Sequence, residues 1–233
     1  MIEKIIGEKN KYGRAKKTNK KINIFIDYMD YYDYEGGMFT TKSDYLRIIQ
    51  LAKLRNITIS QQYDLQEHTQ DVEFNKLRII ANELDSYKKQ YGLIDFNDMI
   101  LNFIKSDASP KFDVVFIDEA QDLSSLQWSI AKSIWDKTED NYIAGDDDQA
   151  IFRWAGADVD SFITQTGKLL PLIQSRRIPK KVHDIAIKII ERVSNRIPKN
   201  WLPRTVEGSL TIHNAFEDVD MSSGEWMVLA RTR

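Results

Sequence analysis

Two short β-rich runs, each ending in a cluster of acids, constrain this chain more than any other feature. Val114-Val115-Phe116-Ile117 leads into Asp118-Glu119-Ala120-Gln121-Asp122, and Tyr142-Ile143-Ala144 leads into Gly145-Asp146-Asp147-Asp148-Gln149. The first run is continuously apolar, the pattern of a strand buried on both faces. Between the runs, Ser124-Ser125-Leu126-Gln127 has capping-box spacing and opens a helix with Leu126, Ile130 and Ile134 on one stripe. Strand, helix and strand make a βαβ unit, so the two strands are expected to be parallel with a right-handed crossover. Both acidic clusters then lie beyond the carboxyl ends of parallel strands, the crevice where open α/β sheets bind ligands.

Paired carboxylates at such a strand end suit nucleotide hydrolysis. One holds Mg²⁺ through its water shell, and the other orients or deprotonates an attacking water. Asp118 is the expected metal ligand and Glu119 the group on the water. Gln149 carries an amide that both donates and accepts, so it is suited to sensing a γ-phosphate and reporting to a neighbour. The competing readings are structural: an acidic loop capping the helix at Ser124, and a polar turn at Asp146 to Asp148.

The flanks read as helical before the βαβ unit and mixed after it. The first 92 residues are expected to be helical. Tyr45, Ile48, Ile49 and Ala52 form one stripe after a Ser43/Asp44 start, and a second stripe from Phe74 through Leu77, Ala81, Leu84 and Tyr87 to Tyr91 stops at Gly92. Asp95 is the expected cap of a third helix through Ile104. Beyond Pro179, placed as a first-turn proline, Val182, Ile185, Ala186, Ile189 and Val193 form a helical stripe. Residues 209–213 and 225–230 read as strands of another sheet.

Charge is segregated although the net charge is only −2. Residues 1–22 carry eight Lys/Arg against two Glu, and residues 27–45 carry five acids against one Lys among interleaved tyrosines. Residues 107–160 hold thirteen acids against four bases, and residues 168–204 hold ten bases against two acids. An acidic segment facing a basic one suits a site gathering a metal and phosphates, although charge blocks also make ordinary solvated faces. With no cysteine and three scattered histidines, thiolate metal sites, disulfide scaffolds and a His-clustered zinc site are excluded. No apolar run is long enough for a membrane helix, so the expectation is a soluble, cytoplasmic chain with no membrane partner.

The two acidic motifs resemble those of the UvrD/Rep/PcrA-like helicases of superfamily 1. FDVVFIDEAQDLSSLQW is similar to their Walker B motif, and YIAGDDDQAIFRWAGAD to the GDxDQxIYxWxGA pattern that follows it. LIDFNDMI, LIQSRRIPKKVHDIA and WMVLARTR extend the likeness more weakly. The resemblance implies an α/β fold: a partial RecA-like parallel-sheet P-loop NTPase core with an N-terminal helical insertion domain. The implied boundaries are 1–94 for the insertion domain, 95–168 for the second half of the first RecA-like domain, and 169–233 for the start of the second. It implies ATP and Mg²⁺ as cofactors, with Asp118 on the metal, Glu119 as catalytic base, Gln149 on the γ-phosphate and Arg177 contacting that phosphate from the second domain. Phe152, Arg153 and Trp154 would contact single-stranded DNA, the aromatic pair by stacking on bases. Phe152 and Trp154 are also suited to a core, and Arg177 to a solvated helix start.

Three departures qualify this likeness. No GxxxxGK[ST] phosphate cradle occurs in the sequence, and the family's later motifs are not found. Ala155 stands where the family often has arginine, and Arg176 where it usually has an aromatic residue against adenine, although a guanidinium plane also stacks on a base. The expected function is part of an ATP-dependent helicase that translocates on single-stranded DNA and opens duplex junctions. Met1 is then an internal methionine or the start of a split gene, whose separately encoded N-terminal half carries the P-loop. The alternatives are a non-catalytic single-stranded nucleic-acid-binding remnant and a metal nuclease; the nuclease gives Gln149 and the aromatic pair no role.

Overall fold

The computed structural model describes residues 8–9, 15–16, 43–65 and 72–229. The chain divides into two units, residues 1–166 and residues 167–233. Most of the basic 1–22 block and of the tyrosine-rich 27–45 block lies outside the described residues.

The N-terminal expectation of helix needs correction at β1 (Glu8–Lys9) and β2 (Ala15–Lys16), which pair antiparallel in the register Glu8↔Lys16 and Lys9↔Ala15. Asn10 and Gly13, both turn formers, break any helical stripe in the sequence between them.

From Ser43 onward the helical reading holds. Helix α1 (Asp44–Leu54) buries Ile48, Ile49 and Ala52 of the predicted stripe, together with Leu46, Leu51 and Leu54. Helix α2 (Ile59–Asp64), which the periodicity did not reveal, starts at a Thr58/Gln61 capping box. Helix α3 (Phe74–Tyr91) buries Leu77, Ile80, Ala81 and Leu84. It ends at Gly92, whose φ of 61° is the left-handed conformation that glycine adopts without a Cβ penalty. Leu46, Ile48, Ile49, Val72, Leu77, Ile80, Ala81, Leu84 and Tyr87 form one apolar core, with Tyr45, Tyr63 and Phe74 packed against it.

Helix α4 (Phe96–Ser106) begins at the predicted Asp95. The Asp95 carboxylate accepts from the Asp98 N–H at 2.8 Å, and the Asp98 carboxylate accepts from the Asp95 N–H at 3.0 Å. The same two acids receive the buried Lys88 ammonium, 3.0 Å from Asp95 and 2.5 Å from Asp98, while Lys53 of α1 lies 3.7 and 3.5 Å from them. One ionic cluster thus ties α1, α3 and the start of α4.

The βαβ unit is present. Strands β3 (Val114–Ile117) and β4 (Asp140–Ile143) pair in parallel, from Val114↔Asp140 to Ile117↔Ile143. Helix α5 (Ser125–Trp135) joins them and starts at the predicted Ser124/Gln127 capping box. Its buried side chains are Leu126, Trp128 and Ala131, while Ile130 and Ile134 are half-buried. The expectation that β3 is buried on both faces is corrected. Val115 and Ile117 are half-buried, but Val114 is 42% and Phe116 74% exposed. Four apolar residues in a row mask the alternation of a strand covered on one side only, and Phe116 instead stacks on Tyr142 at 4.9 Å.

In the second unit, α7 (Lys180–Ile190) follows Pro179, which is the cap residue and not the first helical one. Its apolar stripe is present but open, with Val182 40% and Ile189 58% exposed. Periodicity specifies a face without supplying its cover. The strands predicted at 209–213 and 225–230 are corrected: 209–213 and 225–229 carry no ladder, and residue 230 lies outside the described residues. β-propensity needs a paired backbone to become a strand. Among the described residues this unit's parallel pairing is the single bridge Gln174↔Leu202.

Candidate functional site

The parallel ladder carries both acidic clusters to the same place. Beyond the last strand pair, the Ala144 N–H donates to the Ile117 carbonyl at 2.7 Å and the Ala120 N–H to the Ala144 carbonyl at 3.0 Å. The chain segments Asp118–Ala120 and Ala144–Asp146 therefore leave the sheet side by side.

Asp118 is exposed, and one of its carboxylate oxygens accepts the Glu119 N–H at 2.9 Å. Glu119 is exposed and sits at φ 51°, ψ 38°. For a residue with a Cβ this left-handed backbone costs about 1–3 kcal/mol, and it turns the chain from the strand into the 3₁₀ turn Ala120–Asp122. Strain of this kind concentrates at functional sites.

Gln121 joins the two clusters. It is 2% exposed, its Nε2 donates to Glu119 Oε2 at 2.7 Å, and its Oε1 accepts the Asp146 N–H at 2.9 Å. Asp146 in turn accepts from Gln149 Nε2 at 2.6 Å and caps the 3₁₀ turn Asp147–Gln149 through the Asp148 N–H at 3.2 Å. Sequence reading passed over Gln121; its signal was a neutral amide inside an otherwise acidic cluster. Burial, and then the neighbouring Glu119 charge, hold the Asp122 carboxyl above the ordinary aspartate range, and its buried Oδ1 has no hydrogen-bond partner.

The aromatic segment follows directly. Phe152 and Trp154 flank the start of the 3₁₀ turn Arg153–Ala155 and are 42% and 64% exposed, with Ile151 70% exposed beside them. The Arg153 guanidinium forms a bidentate pair with Asp160 at 3.0 and 3.1 Å, which raises its already high pKa. Its carbonyl accepts from Arg55 Nη2 at 3.1 Å, while Arg55 Nη1 donates to the fully buried Gln62 at 2.9 Å. The turn is held from the other side by Asp158, which caps α6 (Val159–Ile163) and accepts from Ser125 Oγ at 2.9 Å. The Trp128 indole N–H donates to the Asp158 carbonyl at 3.1 Å. Helices α1 and α5 thus both fix the segment that presents Trp154.

Arg176 and Arg177 stand in the second unit, both exposed, before α7. Ser175 Oγ accepts the backbone N–H groups of Arg177 and Ile178 at 3.3 and 3.1 Å, which shapes this turn and leaves the side chains outward.

Among the described residues no group of three or more His, Cys, Asp or Glu side chains is arranged to hold a metal. The exposed Asp118 carboxylate at the strand end fits a Mg²⁺ ion, which keeps most of its waters and needs one or two carboxylates plus substrate phosphates. Among the described residues no helix is long and apolar enough to cross a membrane.

Comparison with known proteins gives a consistent result. The family model for the UvrD/REP helicase N-terminal domain matches residues 2–169. The chain is 28% identical over 165 residues to the ATP-dependent DNA helicase PcrA of Bacillus subtilis, a match covering 61% of this chain and 22% of that protein. It is 26% identical over 161 residues to the PcrA proteins of Staphylococcus epidermidis and Staphylococcus aureus, with the same coverage. The chain therefore spans about a fifth of the length of the curated relatives it matches.

Proposed function

Because the chain belongs to the UvrD/REP helicase N-terminal domain family, we propose that it supplies the acidic half of an ATP site that drives movement along single-stranded DNA. The observation that carries this reading is the convergence of Asp118, Glu119 and Gln149 beyond two parallel strand ends, linked through Gln121 and Asp146. Asp118, exposed at the strand end, holds Mg²⁺, which neutralises phosphate charge when bound. Glu119, oriented by the Gln121 amide, takes the proton of the attacking water. Gln149 lies on the γ-phosphate side of the loop.

The finer assignments belong to the same proposal. Residues 95–168 are read as the second half of a RecA-like domain, residues 1–94 as its helical insertion, and residues 169–233 as the start of a second such domain. Arg177 supplies a cation to the γ-phosphate, and Arg176 a guanidinium plane to the adenine. The phosphate cradle, for which this sequence has no GxxxxGK[ST], comes from a further polypeptide segment. Purified residues 1–233 are therefore expected to show no ATP turnover with or without DNA, and robust turnover by this chain alone would refute the need for a separate cradle.

Phe152 and Trp154 form the DNA-facing element, since exposed aromatic faces accept any base. Trp154→Ala is expected to weaken single-stranded DNA binding by about 1–3 kcal/mol with little change in salt dependence, because no phosphate contact is lost. An indole 64% exposed also predicts a stability change within about 0.5 kcal/mol. A fluorescence titration and a urea melt on the same variant decide the matter: unchanged affinity removes Trp154 from the DNA path. The exposed Phe152 and Trp154 also suit a second reading, a single-stranded DNA-binding chain without hydrolysis. In that case DNA binds, but no added P-loop segment produces turnover.

A further inference from the structure

Gln121 has a place in the site that goes beyond packing. Its amide is held between an acceptor and a donor of fixed kind. A Glu119 carboxylate only accepts and the Asp146 backbone N–H only donates, so Nε2 must face Glu119 and Oε1 must face Asp146. A side chain 2% exposed with both ends satisfied loses a charge-assisted hydrogen bond if it turns over.

The backbone opposite is shaped to admit it. A methyl at Gly145 would meet Gln121 Oε1 at 2.6 Å and the Phe162 ring at 2.9 Å, so the absence of a Cβ there lets the amide reach the second strand end. From Asp146 the connection continues through its carboxylate to Gln149 Nε2.

We propose that Gln121 is a positioning residue that couples the Asp146–Gln149 loop to Glu119. A displacement of Gln149 pulls on Asp146, Asp146 moves the Gln121 amide, and Gln121 sets the orientation of the Glu119 carboxylate. Glu119 is then aligned only when the loop that Gln149 belongs to is in its engaged position. The consequence for hydrolysis rests on the ATPase reading above, whereas the coupling itself is a property of this chain.

The test is amide NMR on ¹⁵N-labelled residues 1–233. Glu119→Ala changes an exposed side chain and spares the fold. It removes the anchor of Gln121 Nε2 and is expected to shift the Asp146 amide resonance and speed its hydrogen exchange by roughly tenfold or more. In Gln121→Met, which keeps length without donor or acceptor, the Asp146 amide should already exchange fast and Glu119→Ala should add nothing. An Asp146 amide that ignores Glu119→Ala in the parent chain overturns the coupling, whether or not Gln121→Met folds. In an assembly that turns over ATP, Gln121→Met should lower kcat by roughly 10- to 100-fold, as loss of an outer supporting partner does elsewhere, and leave KM for ATP unchanged. If the unsubstituted assembly has no turnover, the hydrolysis reading fails, and the amide response still decides the coupling.

Discussion

Glu119→Gln is expected to slow ATP turnover by about 10²- to 10⁴-fold when residues 93–166 replace the matching segment of Bacillus subtilis PcrA, with nucleotide binding nearly unchanged. The change preserves size and still offers an amide oxygen to Gln121 Nε2, now 2.7 Å from the carboxylate. Geometry is therefore retained, and only the proton acceptor is lost. The Glu119 side chain is exposed in this chain, and its competence depends on position and on closure by bound substrate. Single-turnover hydrolysis with a binding titration checks the expectation. A variant with normal turnover would reduce Glu119 to an exposed acid beside a strained turn.

The largest expected stability effect lies away from the site. Lys88→Met should destabilise the folded chain by about 3 kcal/mol, the low end for breaking a buried pair, because Lys53 stays within 3.7 Å of both acids. Burial works against the Lys88 charge, but hydrogen bonds to Asp98 and Asp95 outweigh it and raise its pKa well above the ordinary lysine value. Burial also works against the Asp98 charge, yet the Asp95 N–H and the two lysines hold its carboxyl below the ordinary aspartate range. A depressed carboxyl contributes stability that is present above the unfolded-state pKa and lost as pH falls through the folded one. Urea melts should therefore show stability falling below about pH 4, and the acid-dependent part should shrink in Lys88→Met. Equal acid sensitivity in the two proteins would mean that the cluster contributes nothing through this linkage.

What the sequence disclosed follows the reach of each signal. The cap at Asp95, the capping box at Ser124 and the glycine stop at Gly92 are local, few-residue devices, and each stands where the sequence put it. The parallel pairing of β3 and β4 followed from the helix between them. The expectation that β3 is covered on both faces failed, because cover depends on what packs opposite. Phe116 is apolar yet exposed, Val182 and Ile189 leave the α7 stripe open, and residues 209–213 are β-prone yet unpaired. In the site, the acidic residues were legible from their position after the strands. The Gln121 bridge and the Arg55 hold on the Arg153 carbonyl were not, since each links residues brought together only by folding, Arg55 and Arg153 being 98 positions apart.

In the proposed function, the acids beyond β3 and β4 serve ATP hydrolysis governed by single-stranded DNA. Its most direct test is the steady-state ATPase rate of the PcrA chimera carrying residues 93–166 of this chain, measured with and without single-stranded DNA. Turnover is expected to rise on adding DNA and to be lost in Glu119→Gln. A folded chimera that binds ATP and DNA but shows no DNA-stimulated turnover would contradict it.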